Sequence, residues 1–144
     1  MENKELIKEF IATIEADMEE MGFEVHNNND TMTTIEIETD TVPVDVVVGI
    51  VAEEDGFFVH VEGANFYELP EKMSMSLFVL LNEMNSESIF VKYSTNDELN
   101  QVTVAADAMV YADTCVKTCR NLIARVAAGA EYCYPILQAF KSKK

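Results

Sequence analysis

Apolar residues recur at steps of three and four over residues 4–21. Leu6, Phe10, Ile14, Met18 and Met21 form the row, with Ile7 and Ile11 alongside, and Glu9, Glu15, Glu19 and Glu20 take the opposite side. That spacing predicts an amphipathic helix. Asn3 reads as its N-cap and Gly22 as a stop that accepts left-handed geometry. The period then falls to two. Phe23 and Val25 precede a polar turn, Asn27-Asn28-Asn29-Asp30, and TMTTIEIET alternates, with Ile35 and Ile37 on one face and Glu36 and Glu38 on the other. Thr39 to Pro43 reads as a connector. VDVVVGIVAEEDGFFVHVEG predicts a hairpin, because Asp55-Gly56 is a turn signal between two β-rich runs. On its second arm Phe57, Val59 and Val61 share a face opposite Phe58, His60 and Glu62. The first arm, Val44 to Val51, is apolar on both faces, whereas an antiparallel strand usually keeps one wet side. It is therefore either a central strand covered twice or one whose second face meets another subunit.

Leu69-Pro70-Glu71 opens a second helix, with proline near its first position and a stripe of Met73, Leu77, Leu80, Leu81 and Met84. This helix ends around Asn82 and Asn85. Asparagine tolerates left-handed backbone and bonds to local groups, so either residue can satisfy carbonyls that lack an intrahelical partner. A catalytic amide is the sharper and weaker alternative. Residues 88–94 and 101–106 read as strands joined by the loop TNDELN. From about Asp113 a long helix carries Cys115, Cys119, Leu122, Val126, Ala130, Cys133, Leu137 and Phe140 at helical steps. Pro135 is expected to kink or interrupt it, because proline cannot bond back to residue 131. The order α-β-β-β-α-β-β-α with short links predicts an α+β fold: an antiparallel sheet of about five strands with helices packed on one face. Residues 1–144 fit one domain with one core.

Composition narrows the classes. Nearly half the residues are apolar, which supports folding. No apolar stretch approaches the roughly 20 residues of a membrane span, and MENKELIKEF starts a helical pattern instead of a signal sequence. The formal charge of −16 opposes binding to nucleic acid or to an anionic membrane. Residues 107–144 carry six basic against three acidic groups, a net of +3, which leaves −19 on residues 1–106. A mildly basic last helix lying across an acidic body is favourable within one molecule, and the same asymmetry could orient two copies or a partner. The three cysteines are an odd count that suggests no disulfide framework, which agrees with a cytoplasmic location.

Candidate chemistry is sparse. Cys115 and Cys119 have a spacing at which two thiolates could share a metal. They lie on an apolar stripe with Cys133, however, where free cysteine acts as a small hydrophobe. His26 and His60 both fall among strands, and His60 points to solvent or to an interface. Glu53-Glu54-Asp55 sits at a turn tip and lacks the twelve-residue frame of a calcium loop. GxxxxGK[ST], GxGxxG and GxSxG are absent, so nucleotide and hydrolase readings have no support. Met32, Met75 and Met109 fit no core stripe cleanly, and methionine surfaces adapt to varied partners.

The succession of LLNEMN, the hairpin IFVKYSTNDELNQVTVAAD and a final helix bearing EYCYPIL resembles the bacterial YbjN-type domain, a family similar in fold to the chaperones of type III secretion. Asn82 and Asn85 match its helix-end asparagines, Gly56 its earlier hairpin turn, and Tyr134, Pro135 and Leu137 its tyrosine-proline-leucine pattern. The resemblance runs from about residue 31 to 140. The long polar loop at 95–100 and the three cysteines depart from it. It implies a small acidic sensory-transduction regulator with no enzymatic role and a chaperone-like way of engaging polypeptides. The expectation is thus a non-enzymatic protein-binding domain without metal or cofactor. It would act through an apolar sheet face at Val47, Val51 and Phe58, toward a protein partner or a second copy of itself. The alternative is a small-molecule or signal sensor with a pocket between the helices and the sheet.

Overall fold

In the computed structural model, residues 2–72 and 74–142 are described. The chain runs α1 (Asn3–Glu20), β1 (Glu24–Asn29), β2 (Met32–Glu38), β3 (Pro43–Glu53), β4 (Gly56–Ala64), α2 (Met75–Glu87), β5 (Lys92–Asn96), β6 (Gln101–Val110) and α3 (Cys115–Ser142). The strands form one sheet in the order β1-β2-β3-β4-β6-β5, antiparallel throughout. α1 crosses β1 to β3, α3 crosses β3, β4 and β6, and the two helices touch each other, so both lie on one face. The α+β class and the one-sided helix layer are those predicted.

The period-two pattern explains the layering. Val44, Val46, Val48 and Ile50 of β3 are buried toward the helices, while Asp45, Val47 and Gly49 are half-buried and Val51 is exposed. From below, α1 presents Ile7, Phe10, Ile11, Ile14 and Met18, with Phe10 edge-on to Phe57 at 5.2 Å. Met21, expected on that stripe, is exposed because the helix has already stopped. Gly22 ends it at φ +95°. Its N–H donates to Glu19 O at 3.0 Å and that of Phe23 to Met18 O at 3.1 Å, the paired bonds of a glycine stop. Asn3 is the first helical residue; the N-cap position is Glu2, which makes no side-chain cap bond. α3 crosses β4 where Gly63 leaves room: a β-carbon there would stand 2.9 Å from Val126 Cγ1 and 3.0 Å from Val104 Cγ1. Arg120 of α3 pairs with Asp17 of α1 at 3.0 Å, so the basic last helix does lie on the acidic body. Cys115, Cys119 and Cys133 are free thiols in the core.

Several local expectations give way to tertiary contacts. Residues 24–29 form an edge strand where a polar turn was expected, held to α1 because Asn27 and Thr33 both donate to Glu15 Oε2, at 2.9 and 2.8 Å. α2 begins after Ser74, whose hydroxyl accepts from Leu77 N. Leu69 and Pro70 lie outside the helix: the Tyr67 carbonyl accepts from Val102 N at 3.0 Å, and Leu69 N donates to Asn100 O at 2.9 Å. Met73 falls outside the described residues. Ser88 to Val91 form a turn closed by the Ser88 hydroxyl donating to Val91 O at 2.7 Å, so the strand expected from 88 starts at Lys92. β6 runs on to Val110. α3 passes through Pro135 without interruption.

The two asparagines also differ from expectation. Neither has left-handed backbone, which among non-glycine described residues falls at Asn65 and Asn100. Asn82 is exposed. Asn85 reaches sideways to β5: its Nδ2 donates to Tyr93 O at 2.9 Å and its Oδ1 accepts from Tyr93 N at 2.6 Å. The helix-end carbonyls are instead met by Lys92, whose Nζ donates to Asn85 O and Ser88 O at 3.2 and 2.9 Å.

Candidate functional site

The sheet face away from the helices is built in rows, because antiparallel register places residues directly opposite one another. At one end Val51 of β3 faces Phe58 of β4, which faces Met109 of β6. Val51 is 56% and Met109 62% exposed. The next row is Met32, Gly49, His60 and Asp107, and beyond it His26, Thr34, Val47, Glu62 and Ala105. The last row is Glu24, Glu36 and Asp45. The face thus grades from apolar to acidic across five adjacent strands.

Of the three residues expected to make a docking surface, the register brings Val51 and Phe58 into direct contact positions. Val47 lies two rows away, opposite Glu62, with the Gly49–His60 row between. Met109 joins the apolar row; its signal in sequence was a methionine outside every core stripe. Met32 and Met75, the other two such methionines, are exposed as well.

The polar rows are paired. The His60 ring is held from both sides, by a short hydrogen bond from Nδ1 to Asp107 and by Glu62 at 3.5 Å from Nε2. His26 Nε2 makes a short hydrogen bond to Glu36. That bond, chiefly, raises the His26 pKa above its ordinary value, against slight desolvation and with help from the charges of Glu36, Glu24 and Asp45. The same bond lowers Glu36, which also meets Glu24. Ligating atoms of Glu24, His26 and Glu36 all lie within 4.8 Å of one another, so these three are the residues here that could hold a metal.

A second feature lies on the helical side. A groove of about 390 Å³ is bounded by Met84, Ile89, Phe90, Arg125, Gly129 and Tyr132. The 88–91 turn pushes Ile89 and Phe90 outward, and the Arg125 guanidinium sits 3.5 Å over the Phe90 ring. Reading 88–94 as a strand hid this groove. Along α3 the bond between Cys115 and Cys119 lowers the Cys115 thiol and, with burial, raises that of Cys119, while burial pushes Cys133 up to about 12. Among the described residues no helix is long and apolar enough to cross a membrane.

No family model matches the chain, and no curated protein matches it. Solved structures do. A chain of the crystal structure of the ExsC–ExsE complex is similar with a TM-score of 0.66 at 13% identity, over 95% of this chain and 97% of that one. A chain of the heterodimeric ExoU–SpcU complex from the type III secretion system of Pseudomonas aeruginosa gives a TM-score of 0.49 at 20% identity, over 85% and 95%. At such identity the likeness is one of fold, and the ExsC–ExsE match agrees with the type III secretion chaperone-like fold anticipated from the sequence.

Proposed function

We propose that the chain is a non-enzymatic protein-binding domain of the YbjN type, a chaperone-like adaptor or sensory-transduction regulator in the cytoplasm. It receives a protein partner or a second copy of itself on the open sheet face. The row Val51–Phe58–Met109 carries this reading. Three apolar side chains stand side by side on the solvent side of a sheet whose other side is already covered. Contiguous exposed apolar surface of this kind marks interaction sites, and the flanking His60, Asp107 and Glu62 give it the polar rim such sites have. Val47 lies two rows from the patch, beyond the Gly49–His60 row. The fold relative in the ExsC–ExsE complex is seen bound to another protein, which supports the same reading.

Light scattering on the purified chain and affinity capture from the native host, each on wild type and on Val47→Glu and Phe58→Glu, test it. The expected result is either a dimeric mass or a captured protein, lost in Phe58→Glu and weakened in Val47→Glu, with melting unchanged. A monomeric wild type that captures the same proteins as both variants refutes it.

A second reading rests on the groove beside Phe90 and Arg125, whose volume falls in the range of small-molecule sites. A thermal-shift screen against metabolites separates the two, since a ligand at 100 times its dissociation constant adds about 2.7 kcal/mol of stability. A reproducible hit abolished by Arg125→Ala favours the sensor.

A further inference from the structure

We infer that Glu24, His26 and Glu36 form a binding site for a divalent transition-metal ion of the zinc class, on the acidic end of the open sheet face. The scaffold is the antiparallel pair β1–β2. Glu24 stands directly opposite Glu36, and His26, opposite Thr34, is the diagonal neighbour of Glu36. Diagonal and direct neighbours on one sheet face are within side-chain reach of one another. The two carboxylates and the imidazole accordingly bring their ligating atoms within 4.8 Å. A tetrahedral ion bound at about 2.0–2.2 Å by nitrogen and oxygen holds its ligands somewhat closer than that, so small side-chain rotations close the site with no change in the strands.

The register supplies an independent reason. Glu24 faces Glu36 and Glu36 faces Asp45, so three carboxylates stand in one row across three strands. Like charges directly opposite one another destabilise a sheet. Among the described residues no lysine or arginine ion pair reaches this row; the cation pair present joins Arg120 to Asp17. Asp45 is partly committed elsewhere, accepting from Asn65 Nδ2 at 2.6 Å. A proton on His26 offers one positive charge against three negative ones. A divalent cation would add the counter-charge that this row of carboxylates otherwise draws from His26 alone. The donor set of one nitrogen and two oxygens includes an imidazole, which favours zinc, nickel, copper or iron over magnesium or calcium. Three protein ligands leave positions open for water, and all three side chains are exposed to it.

The test uses the full chain, free of any polyhistidine tag and stripped with a chelator, titrated with zinc alone by calorimetry at about pH 8, where proton competition for the imidazole is weak. The chain has two histidines, so imidazole NMR reports which one binds. The expected result is one zinc per chain with the His26 signals moved and those of His60 unmoved. Glu36→Gln and His26→Ala should each weaken binding by about tenfold or more, while His60→Ala binds as wild type does. Cobalt substitution should show no thiolate charge-transfer band. The inference is overturned by zinc binding no tighter than about millimolar, by a Glu36→Gln variant that binds like wild type, by binding that follows His60, or by a thiolate spectrum that assigns the metal to the cysteines.

Discussion

Replacing Asn85 by alanine removes the amide that ties the end of α2 to β5. Its Nδ2 and Oδ1 together saturate the carbonyl and N–H of one residue, Tyr93, as a neighbouring strand would. Neither Tyr93 group is assigned another partner on that side, since β5 pairs only with β6. Each neutral hydrogen bond contributes about 0.5–1.5 kcal/mol net, and a partly buried group left without a partner costs more; together these give about 2 kcal/mol for Asn85→Ala. With an unfolding entropy of about 2.1 cal/mol/K per residue, that corresponds to a fall of about 7 °C in Tm for a chain of this length. Asn85→Asp preserves the acceptor for Tyr93 N–H but sets a carboxylate oxygen against the Tyr93 carbonyl, so it should cost at least as much at neutral pH. Asn82, exposed and one turn earlier, makes no such bonds, and Asn82→Ala should stay within about 0.5 kcal/mol. Urea unfolding monitored by circular dichroism measures all three. Equal costs at positions 82 and 85, or a loss at Asn85→Ala below about 0.5 kcal/mol, would refute the account and return both residues to simple helix-end roles.

Gly63→Ala places a methyl group 2.9 Å from Val126 Cγ1 and 3.0 Å from Val104 Cγ1; overpacking of this kind costs about 1–3 kcal/mol, and an unchanged urea midpoint would show that α3 does not sit this close to β4. The three thiols are buried, so a disulfide reagent at neutral pH should modify none of them in the native protein and all three in denaturant; prompt native labelling of Cys133 contradicts its place in the core. Burial holds the Cys133 thiol up at about 12 and raises the Tyr93 phenol, so the folded chain keeps protons that the unfolded chain releases. The unfolded state then binds fewer protons, and stability must fall as pH rises above the ordinary thiol value of about 9. Urea midpoints at intervals from about pH 8 upward should decline, with a shallower slope in Cys133→Ala, and a flat profile in both proteins counts against the burial argument.

Legibility followed the strength of the local signal. α1 and its glycine stop were readable because the helical stripe and Gly22 agree. β3 is apolar on both faces in sequence, and only the assignment of Val47 and Val51 to the second face left Val44, Val46, Val48 and Ile50 for the helices. β1 was not readable: Glu24–Asn29 is an edge strand with one partner, so its side chains carry no alternation, and its turn-forming asparagines outweighed the pairing with β2. The 88–91 turn was hidden by the β propensity of Ile89, Phe90 and Val91, which lost to the hydrogen bonds of Ser88. Pro70 looked like a helix start, but residues 67–69 gain more by bonding to the 100–102 backbone. Among the candidate site residues, Val51 and Phe58 could be assigned to the open face from parity alone. Their partnership with Met109, and the separation of Val47 from them, could not.

The α+β class, the order of nearly all elements, the helix-facing half of the strands and the burial of the three cysteines were legible before any contact was known, because those properties follow from the spacing of apolar residues within a single segment. Tertiary structure alone decided which side chains meet across strands: the apolar row at one end of the open face, the carboxylate row with His26 at the other, and the clasp of Asn85 on Tyr93. Register is a relation between segments distant in the chain, and no periodicity within either segment encodes it. A shift of a single residue would have turned each of these groups to the opposite face.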